Sequence, residues 1–461
     1  MAEGSTPVRV AIVGAGPAGF YATDKLLRAG GIEVELFDRL PTPYGLVRAG
    51  VAPDHPKIKS VTRVFQKAAA LEGFRFHGNV EVGRDITHAE LLDHHHAVIY
   101  TYGAALDRRL GIPGEDLPGS VPATEFVAWY NGHPDAADHQ FDLRGPRAVV
   151  IGNGNVAVDV ARMLMLTQGE LSVTDTSDTA IAALAQSGIE EVVILGRRGP
   201  AQAAYTTPEL RELGELEDAD VVVDPADVVL DAASAAWLEG DDADRTARDN
   251  VEIVQEYAAR TPHGHAKRVV LRFLASPVEI LGTDRVEGLR IVRNELVVGE
   301  HGTQRARATG EEEVIDCSLV LRSVGYRGAG LEGLPFDDAA GTILNDDGRV
   351  LSEPGRAPLP GVYTAGWIKR GPSGVIGTNK KCAHETVDHL LEDLEAGVLA
   401  QPPAGAQELD ALLDARGATR IDFPAWERID EHETTTGEAQ GRPRVKLLRR
   451  EHLLERARGG S

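Results

Sequence analysis

Short apolar runs alternate along the chain with glycine-rich turns and amphipathic stretches, a pattern typical of α/β proteins. Val8–Val13 reads VRVAIV and predicts a buried strand. The glycine-rich stretch Gly14–Gly19 (GAGPAG) follows, and a helical pattern continues through Leu27. A second apolar run, VELF, ends at Asp38. This order predicts a strand, a tight turn, a helix and a second strand that ends in an acid.

The Gly14–Gly19 turn has the features of a dinucleotide-binding loop. Gly14 permits the tight turn, Gly16 lets a pyrophosphate approach the backbone, and Gly19 lets the helix pack on the strand. The helix N-terminus points free N–H groups at the phosphates. Asp38, 24 residues after Gly14, can accept hydrogen bonds from both hydroxyls of an adenosine ribose. An ordinary glycine turn requires neither the strand nor the spaced acid, so the sequence predicts a dinucleotide without a 2′-phosphate.

The same pattern returns 138 residues later. Arg147–Ile151 is the predicted strand, Gly152–Ala157 (GNGNVA) is the turn that opens a helix, and EVVIL is the next strand. No acid follows that strand; Arg197 and Arg198 stand there instead. An acid would repel a 2′-phosphate, whereas two arginines bind it with charge-assisted hydrogen bonds, so this site is predicted to take NADP(H). The alternative is that both arginines are solvated surface charges.

The organisation around these two units predicts one domain inserted in another. Strands that run into a glycine occur at Ala97–Gly103 and Leu319–Gly325 and predict where the chain leaves and re-enters a domain. Two dinucleotide sites, one without a 2′-phosphate and one with it, suggest FAD plus NADPH. The predicted fold is α/β, with two Rossmann-like dinucleotide-binding domains and the NADP domain inserted within the FAD domain. Residues 1–105 and 325–461 would form the FAD-binding domain, and residues 106–324 the NADP-binding domain. Gly111–Pro118 is interpreted as a linker loop and residues 166–187 as a polar insertion.

Composition narrows the possible functions. The 461 residues include 48 Lys and Arg against 71 Asp and Glu, a net charge of −23, which disfavours general nucleic-acid binding. Two cysteines, Cys317 and Cys382, exclude a disulfide framework, a C-x-x-C redox pair and a cysteine-only cluster site. No apolar run is long enough to span a membrane, and Met1–Val8 lacks the features of a signal peptide. We therefore expect a cytoplasmic protein without a membrane partner.

The charge is unevenly distributed. Residues 211–250 contain 13 acids and three basic residues, which is typical of a solvated face. Residues 442–458 contain seven Arg or Lys and two Glu. This basic tail predicts either a solvated helix or a surface that binds an acidic protein. A second basic stretch without acids lies in residues 369–381 and consists of Lys369, Arg370, Lys380 and Lys381.

Four separated motifs carry a resemblance to a known family. They are LPTPYGLVRAGVAPDH followed by PKIK from Leu40, GNGNVAVDVAR from Gly152, GRRGPAQAAYTTPELREL from Gly196, and AGWIKRGPSGVIGTNKK from Ala365. In this order they closely resemble the adrenodoxin-reductase type of NADPH–ferredoxin reductase, especially its mycobacterial members. The resemblance covers nearly the whole chain, from about Val8 to Lys446.

The resemblance implies a set of FAD contacts. The first glycine loop and Asp38 would bind the adenosine diphosphate, although family members often have Glu at that position. Trp367 would lie against the isoalloxazine, where related disulfide reductases usually have aspartate. The implied FAD residues are Gly14, Ala15, Gly16, Gly19, Asp38, Leu46, Val82, Gly366, Trp367, Gly374, Val375 and Ile376.

The resemblance also implies a set of NADP contacts and one pair near the flavin. The implied NADP residues are Arg108, Asn153, Gly154, Asn155, Val156, Arg197, Arg198 and Glu209, with Gly374 touching both cofactors. His55 and Glu212 match a histidine–carboxylate pair, to which we assign a tuning role in catalysis. His94–His96 lacks the spacing of metal ligands, and no metal site is predicted.

The function implied is that of an FAD-dependent ferredoxin–NADP(+) reductase, which passes electrons from NADPH through FAD to a ferredoxin. The chain has too few cysteines for its own iron–sulfur cluster, so the acceptor is expected to be a separate, acidic ferredoxin. Two alternatives stay open. One is an FAD/NADPH oxidoreductase that acts on a small substrate or oxygen; the other is a non-catalytic nucleotide-binding redox sensor.

Overall fold

The computed structural model describes residues 7–240, 243–299 and 304–460. Most of the N-terminal stretch that was interpreted as lacking a signal peptide lies outside the described residues. So do Asp241 and Asp242 of the acidic segment.

All six predicted apolar runs form strands, and the structure adds further strands that were not predicted from the sequence. In chain order they are β1 (Val8–Val13), β2 (Ile32–Asp38), β3 (Phe74–Gly78), β4 (Ala97–Tyr100), β5 (Leu106–Asp107), β6 (Ser120–Pro122), β7 (Arg147–Ile151), β8 (Glu191–Leu195), β9 (Ala219–Val223), β10 (Lys267–Arg272), β11 (Ala275–Leu281), β12 (Gly288–Val298), β13 (Gln304–Asp316), β14 (Leu319–Arg322), β15 (Tyr326–Arg327), β16 (Phe336–Asp337), β17 (Thr342–Ile343), β18 (Asn345–Asp346), β19 (Arg349–Leu351) and β20 (Pro358–Thr364).

The helices lie mainly between the parallel strands and at the C-terminal end. They are α1 (Pro17–Ala29), α2 (Leu46–Ala49), α3 (Pro56–Lys59), α4 (Thr62–Ala69), α5 (His88–His94), α6 (Ala123–Tyr130), α7 (Asn155–Met165), α8 (Gln168–Ser172), α9 (Asp178–Leu184), α10 (Thr207–Leu213), α11 (Ala232–Glu239), α12 (Arg245–Ala259), α13 (Trp367–Arg370), α14 (Ile376–Glu395), α15 (Ala406–Ala415), α16 (Phe423–Glu438) and α17 (Arg450–Ala457), with 3₁₀ turns at Pro134–Ala136, Pro200–Gln202 and Pro225–Val228.

One sheet has the strand order β18-β19-β20-β4-β1-β2-β3. β1 pairs in parallel with β2 and β4, so that Val10 lies between Val34 and Ala97. Side chains of β1 alternate between two cores, one under α1 and α14 and one on the opposite face. Each such fully buried side chain stabilises the fold by about 1.5–3 kcal/mol. The sheet therefore combines strands from both ends of the chain around a buried β1.

A second sheet has the order β6-β14-β7-β8-β10-β9 and is parallel throughout. Alternate residues of β7 enter a helical core on one face, while the other face is covered by the three-stranded sheet β11-β12-β13. We call residues 120–322, which contain this sheet, the second unit. The rest of the described chain is the first unit. The short pair β5–β15 joins the two chain crossings between them.

The insertion at residues 166–187 is more ordered than its polar sequence suggests. Thr167 and Ser177 cap α8 and α9 by accepting backbone hydrogen bonds. The turn from Thr174 to Ser177 between them is buried. Its polar side chains serve buried hydrogen bonding, which the interpretation as a polar insertion did not predict.

The basic tail is engaged with its own chain, which neither of its two predicted descriptions includes. Arg442, Lys446, Arg449 and Arg450 form ion pairs with aspartates of the second unit. Arg444 pairs with Asp430 of α16. The basic residues of the tail are therefore paired within their own chain. The sequence did not indicate this, because the aspartates of the second unit lie far from the tail in the sequence.

The acids of the acidic segment lie largely at the surface, with two exceptions. Asp220 is buried and accepts hydrogen bonds from the backbone N–H groups of residues 263–265. Asp227 is buried, and its carboxylate accepts a hydrogen bond from Arg293. Cys317 and Cys382 are both buried and unpaired. Within the described ranges, no helix is long and apolar enough to cross a membrane, and no three His, Cys, Asp or Glu side chains are grouped to bind a metal.

Candidate functional site

The first glycine loop joins β1 to α1, and each of its three glycines meets a different constraint. Gly14 has φ +109°, and a Cβ there would lie 2.7 Å from the backbone of Tyr102. A Cβ on Gly19 would overlap the carbonyl oxygen of Gly14, which is how closely helix and strand pack. A Cβ on Gly16 would meet no atom within 4 Å. Neighbouring protein atoms thus require glycine at Gly14 and Gly19. At Gly16 no protein atom does, so the requirement there would come from a bound group. This arrangement fits a bound pyrophosphate.

Asp38 ends β2 beside this loop. Its carboxylate accepts hydrogen bonds from the backbone N–H of Ala15 at 2.8 Å and of Leu40 at 2.9 Å. Burial raises the pKa of Asp38, and the two backbone hydrogen bonds oppose that effect. The acid is therefore held in place at the carboxyl edge of the sheet, where a ribose of a dinucleotide is bound in this type of fold.

The loop after β2 lies directly over the glycine turn. The N–H of Tyr44 donates to the carbonyl oxygen of Ala15 at 2.7 Å. A Cβ on Gly45 would come within 3.0 Å of the Cα of Gly16. The apolar side chain of Leu46 is 48% exposed, whereas Val82 is buried. An exposed leucine at the start of α2, beside the open backbone of Gly16, fits contact with a large ring system.

The stretch around α13 brings the C-terminal part of the chain to the same place. A Cβ on Gly366 would lie 2.8 Å from the Cβ of Ala18 in α1. The Trp367 ring lies 5.6 Å from the ring of Tyr326, and its Nε1 has no hydrogen-bond partner among the described residues. Gly374 has φ +77°. Val375, the N-cap of α14, is 57% exposed ahead of Ile376, the first residue of the helix.

The second glycine loop repeats the first. Gly152 has φ +127°, and a Cβ there would overlap the carbonyl oxygen of Ser323. A Cβ on Gly154, the N-cap of α7, would be 4.0 Å from its nearest neighbour, Ala204. The open backbone therefore faces outward at the helix N-terminus, as at Gly16. Val156 lies in the first turn of α7.

Two asparagines of this loop fix the neighbouring segment. The carbonyl oxygen of Asn153 accepts from the N–H of Ala204 at 3.0 Å. The side-chain oxygen of Asn155 accepts from the N–H of Thr206 at 2.7 Å. These hydrogen bonds connect the loop to the start of α10, which carries Glu209.

The arginines after β8 form a positive site next to the second loop. Arg197 is exposed and Arg198 is half-buried. Burial, together with repulsion from Arg197, lowers the pKa of Arg198. In the part of the chain that the structure describes, no acid lies within salt-bridge distance of either side chain. Two adjacent cations without a counter-ion fit an anionic ligand better than a solvated surface.

Two further predicted NADP residues occupy different positions. Arg108 lies at the crossing between the units, where its Nε donates to the carbonyl oxygen of Tyr326 at 3.3 Å. Glu209 lies in the first turn of α10, and its Oε2 is buried without a donor among the described residues.

His55 and Glu212 meet across the two units, although 157 residues separate them. The Nε2 of His55 lies 2.7 Å from the Oε2 of Glu212. Arg162, from the last turn of α7, lies close to both side chains: its Nη1 is 3.1 Å from Glu212 and its Nη2 is 2.9 Å from the His55 Nε2. Because an ionised carboxylate only accepts, a hydrogen bond between His55 and Glu212 requires the proton on Nε2 of His55. The contact between Arg162 and that nitrogen is then not a hydrogen bond.

Arg162 is the residue that the sequence analysis missed. It is 2% exposed and forms a two-point pair with Asp54, at 2.7 and 3.0 Å, and a third contact with Asp159 at 2.9 Å. The one available signal was a charged Asp159–Arg162 pair three residues apart on an otherwise apolar helix.

The charges in this network shift one another. Burial by itself lowers the pKa of His55, but the hydrogen bond to Glu212 and the charges of Asp159 and Asp54 together raise it overall. Burial raises the pKa of Glu212, but the bond to His55 and the charge of Arg162 lower it overall. Burial raises the pKa of Asp159 to about 6. The shifts of His55 and Glu212 both favour a protonated imidazole beside an ionised carboxylate.

Comparison with known proteins agrees with this geometry. Residues 8–195 match the family model described as pyridine nucleotide-disulphide oxidoreductase. The chain is 48% identical to the NADPH-ferredoxin reductase FprA of Mycobacterium leprae, over 98% of each chain. It is 41% identical to the mitochondrial NADPH:adrenodoxin oxidoreductase of Arabidopsis thaliana, over 98% of this chain and 96% of that one. The structure of Mycobacterium tuberculosis FprA in complex with NADPH superposes with a TM-score of 0.92 at 48% identity, covering 98% of this chain and 100% of that chain.

Proposed function

Since the chain belongs to the NADPH–ferredoxin reductase family, we propose that it is a ferredoxin–NADP(+) reductase. It transfers electrons from NADPH through FAD to an iron–sulfur protein. The observation that carries this proposal is the pair of glycine-lined helix N-termini, one beside Asp38 and the other beside Arg197 and Arg198. One position suits a ribose with free hydroxyls, and the other suits a 2′-phosphate.

Bound FAD supplies the redox chemistry, accepting a hydride and releasing electrons one at a time. The chain's own residues supply position. The open backbone at Gly16 and Gly154 receives the two pyrophosphates at helix N-termini. Arg197 and Arg198 fix the end of NADPH that is remote from its nicotinamide. Anchoring this end limits the orientations of the other end, which lowers the entropic cost of bringing two rings together.

We assign the individual contacts on the same grounds. The set for FAD is Gly14, Ala15, Gly16, Gly19, Asp38, Leu46, Val82, Gly366, Trp367, Gly374, Val375 and Ile376. The set for NADP is Arg108, Asn153, Gly154, Asn155, Val156, Arg197, Arg198 and Glu209. Their support is the open backbone at Gly16 and Gly154, the unpaired cations, and the exposed apolar side chains of Leu46 and Val375.

We assign His55 and Glu212 a tuning role. Their contact favours the protonated, positive form of His55 in the region where the two units meet. The hydrogen bond from His55 and the charge of Arg162 favour the ionised form of Glu212. A positive charge at this place favours an electron-rich, anionic group nearby.

We propose domain boundaries at residues 105/106 and 324/325. The support is that every strand of the six-stranded sheet lies within residues 120–322 and that β5 and β15 pair at the crossing. The FAD-binding domain would then comprise residues 1–105 and 325–461, and the NADP-binding domain residues 106–324.

We propose that the iron–sulfur partner is acidic and binds at the start of α14. Lys380 and Lys381 are exposed there. Lys369 and Arg370 are half-buried and donate to Thr386 and Asn379 of the same helix. The docking surface is thus narrower than the four basic residues predicted from sequence. The two buried, unpaired cysteines support a reducing compartment, and we propose the cytoplasm.

The test uses purified protein, NADPH and NADH. We expect visible flavin absorbance that NADPH bleaches faster than NADH, and cytochrome c reduction that depends on added ferredoxin. A colourless protein that does not take up FAD would support the redox sensor instead. Equal cytochrome c reduction without ferredoxin, or turnover with a small substrate, would support the alternative oxidoreductase.

A further inference from the structure

The C-terminal segment from Arg442 to Arg450, which we call the strap, crosses from the first unit onto the second. Arg442 donates to the carbonyl oxygen of Thr174 at 3.1 Å and pairs with Asp178 at 2.6 Å. Arg450 pairs with Asp135 at 3.4 Å. The strap therefore covers the buried turn of the insertion at residues 166–187.

A buried ionic cluster lies beneath the strap. Asp175 accepts from the Nζ of Lys59 at 2.7 and 2.9 Å, and the Nζ of Lys446 lies 3.1 Å from Oδ2, one of the same two oxygens. Asp175 and Lys446 are about 95% buried, at 5% and 6% exposure. The three side chains come from three distant parts of the chain: α3, the insertion and the strap.

The cluster extends to α2, the short helix that begins at Leu46. The Nζ of Lys446 also donates to the carbonyl oxygen of Arg48, at 3.1 Å. The guanidinium of Arg48 forms a two-point pair with the fully buried Glu433, at 2.8 and 2.6 Å. Ion pairs and one hydrogen bond to the backbone thus connect the second unit to α2, which follows the first glycine turn in the fold.

The same cluster reaches His55. His55 is the N-cap of α3, and Lys59 is the last residue of that one-turn helix. Its two ends are therefore bound to different parts of the second unit, His55 to Glu212 and Lys59 to Asp175. Two contacts so close together restrict rotation of one unit against the other more than one contact would.

Stability alone is a poor explanation for such a cluster. Taking two ammonium groups and a carboxylate out of water costs several kcal/mol for each ion, and apolar replacements of buried ion pairs are often neutral or stabilising. What ionic hydrogen bonds add is geometric specificity, because they tolerate only one arrangement of their partners.

We propose that Lys59, Asp175 and Lys446 are positioning residues for the reaction of NADPH with the flavin. The cluster sets the angle between the two units and thereby the register of the bound nicotinamide. This inference rests on the proposed function. A misplacement of about 1 Å between reacting groups can cost on the order of 100-fold in rate.

The test is Asp175→Asn in the holoenzyme, with Asp175→Glu as the charge-conserving variant. We expect Asp175→Asn to slow flavin bleaching by NADPH in stopped flow by about tenfold or more. The KM for NADPH should stay within about twofold, because the contacts of Arg197 and Arg198 are unchanged. Amide hydrogen exchange in residues 171–178 and 442–450 should rise at least about tenfold. Asp175→Glu should partly restore both the rate of flavin bleaching and the protection from amide exchange. FAD content and reoxidation by ferricyanide should not change.

The matched control is Glu191→Gln. Glu191 is a similarly buried carboxylate with two cationic partners, Arg147 and Arg268, but all three lie within the second unit. We expect this variant to lower thermal stability without a selective effect on flavin bleaching.

Several outcomes would overturn the inference. If Asp175→Asn speeds amide exchange but leaves the rate of flavin bleaching unchanged, the cluster is purely structural. The same conclusion holds if bleaching slows only in proportion to a loss of bound FAD or of folded protein. If Asp175→Asn does not fold, the second variant is Asp178→Asn, which releases Arg442 from an exposed carboxylate. We expect this variant to slow flavin bleaching and to speed amide exchange by about threefold each. If Asp178→Asn has no selective effect on bleaching, the inference is equally rejected. Failure of NADPH to bleach the unmodified protein would instead reject the proposed function, while the exchange data would still report on the cluster.

Discussion

At the scale of the residue, the sharpest distinction between the two nucleotide sites lies in Arg197 and Arg198. Replacing both with alanine removes the charge-assisted hydrogen bonds available to a 2′-phosphate, each worth about 1.5–3 kcal/mol. We expect the KM for NADPH to rise at least about tenfold and that for NADH to change little. Steady-state ferricyanide reduction measures both. Arg144→Ala, which breaks an exposed pair with Asp142, is the control. Equal increases for the two nucleotides would reject the assignment.

The pair His55 and Glu212 gives a pH-dependent prediction. The hydrogen bond to Glu212 raises the pKa of His55, so Glu212→Gln should lower it. Because the folded-state pKa is raised, protonated His55 contributes stability fully below about pH 6.5, and this contribution is lost as the pH rises through the raised pKa. The variant should therefore lose most stability at pH 6 and least at pH 9.

Histidine NMR titration and thermal midpoints measured across that range test this prediction. Glu209→Gln is the matched control, since Glu209 lies on the same helix and forms no hydrogen bond with His55 among the described residues. An unchanged pKa of His55 in Glu212→Gln would show that the contact does not govern its protonation.

Arg162 shows what sequence reasoning cannot find at this scale. The spacing of Asp159 and Arg162 is visible, but Asp54 and Glu212 come to Arg162 from distant positions and only through folding. The glycine loops, by contrast, are predictable because one short segment contains the strand, the turn and the helix.

At the scale of the element, the two kinds of glycine in the first loop predict opposite effects. Gly19→Ala places a Cβ on the carbonyl oxygen of Gly14 and should destabilise the protein even without cofactor. Gly16→Ala meets no protein atom within 4 Å. We therefore expect it to leave the thermal midpoint of the apoprotein within about 2 °C while it weakens FAD binding at least about tenfold. Calorimetry and FAD titration of the apoproteins measure the two effects. A stable Gly19→Ala, or unimpaired FAD binding in Gly16→Ala, would contradict this interpretation.

The strands around these loops were predicted nearly to the residue, while the insertion and the basic tail were not understood. β1, β7 and β8 are continuous apolar runs, whose burial follows from composition alone. The turn at Thr174–Ser177 and the tail are polar, and polar segments look solvated until their partners are known. Each is the partner of the other, and more than 260 residues separate them.

At the scale of the whole molecule, the net charge of −23 does not describe the surface that a partner meets. Four of the tail's seven basic residues pair with Asp135, Asp138, Asp175 and Asp178 of the same chain. Exposed basic residues without such long-range partners are the ones available to an acidic protein. Lys380 and Lys381 are exposed in the first turns of α14, next to the exposed Val375, and Lys381 forms only a 3.9 Å pair with Glu385 one turn away on the same helix.

Lys380→Glu together with Lys381→Glu should therefore slow reduction of ferredoxin by about three- to tenfold at low salt. Steering by exposed charges acts on the association rate and is screened over about 8 Å at physiological ionic strength. The difference from the unmodified protein should consequently shrink as salt is added. Ferricyanide reduction should not change in the same direction, because a small anion needs no docking surface. Arg356→Glu, a reversal of an exposed charge that pairs with Glu353, is the control. A parallel loss of both activities, or a loss that persists at high salt, would mean that these lysines support the fold around the flavin loop and do not receive the partner.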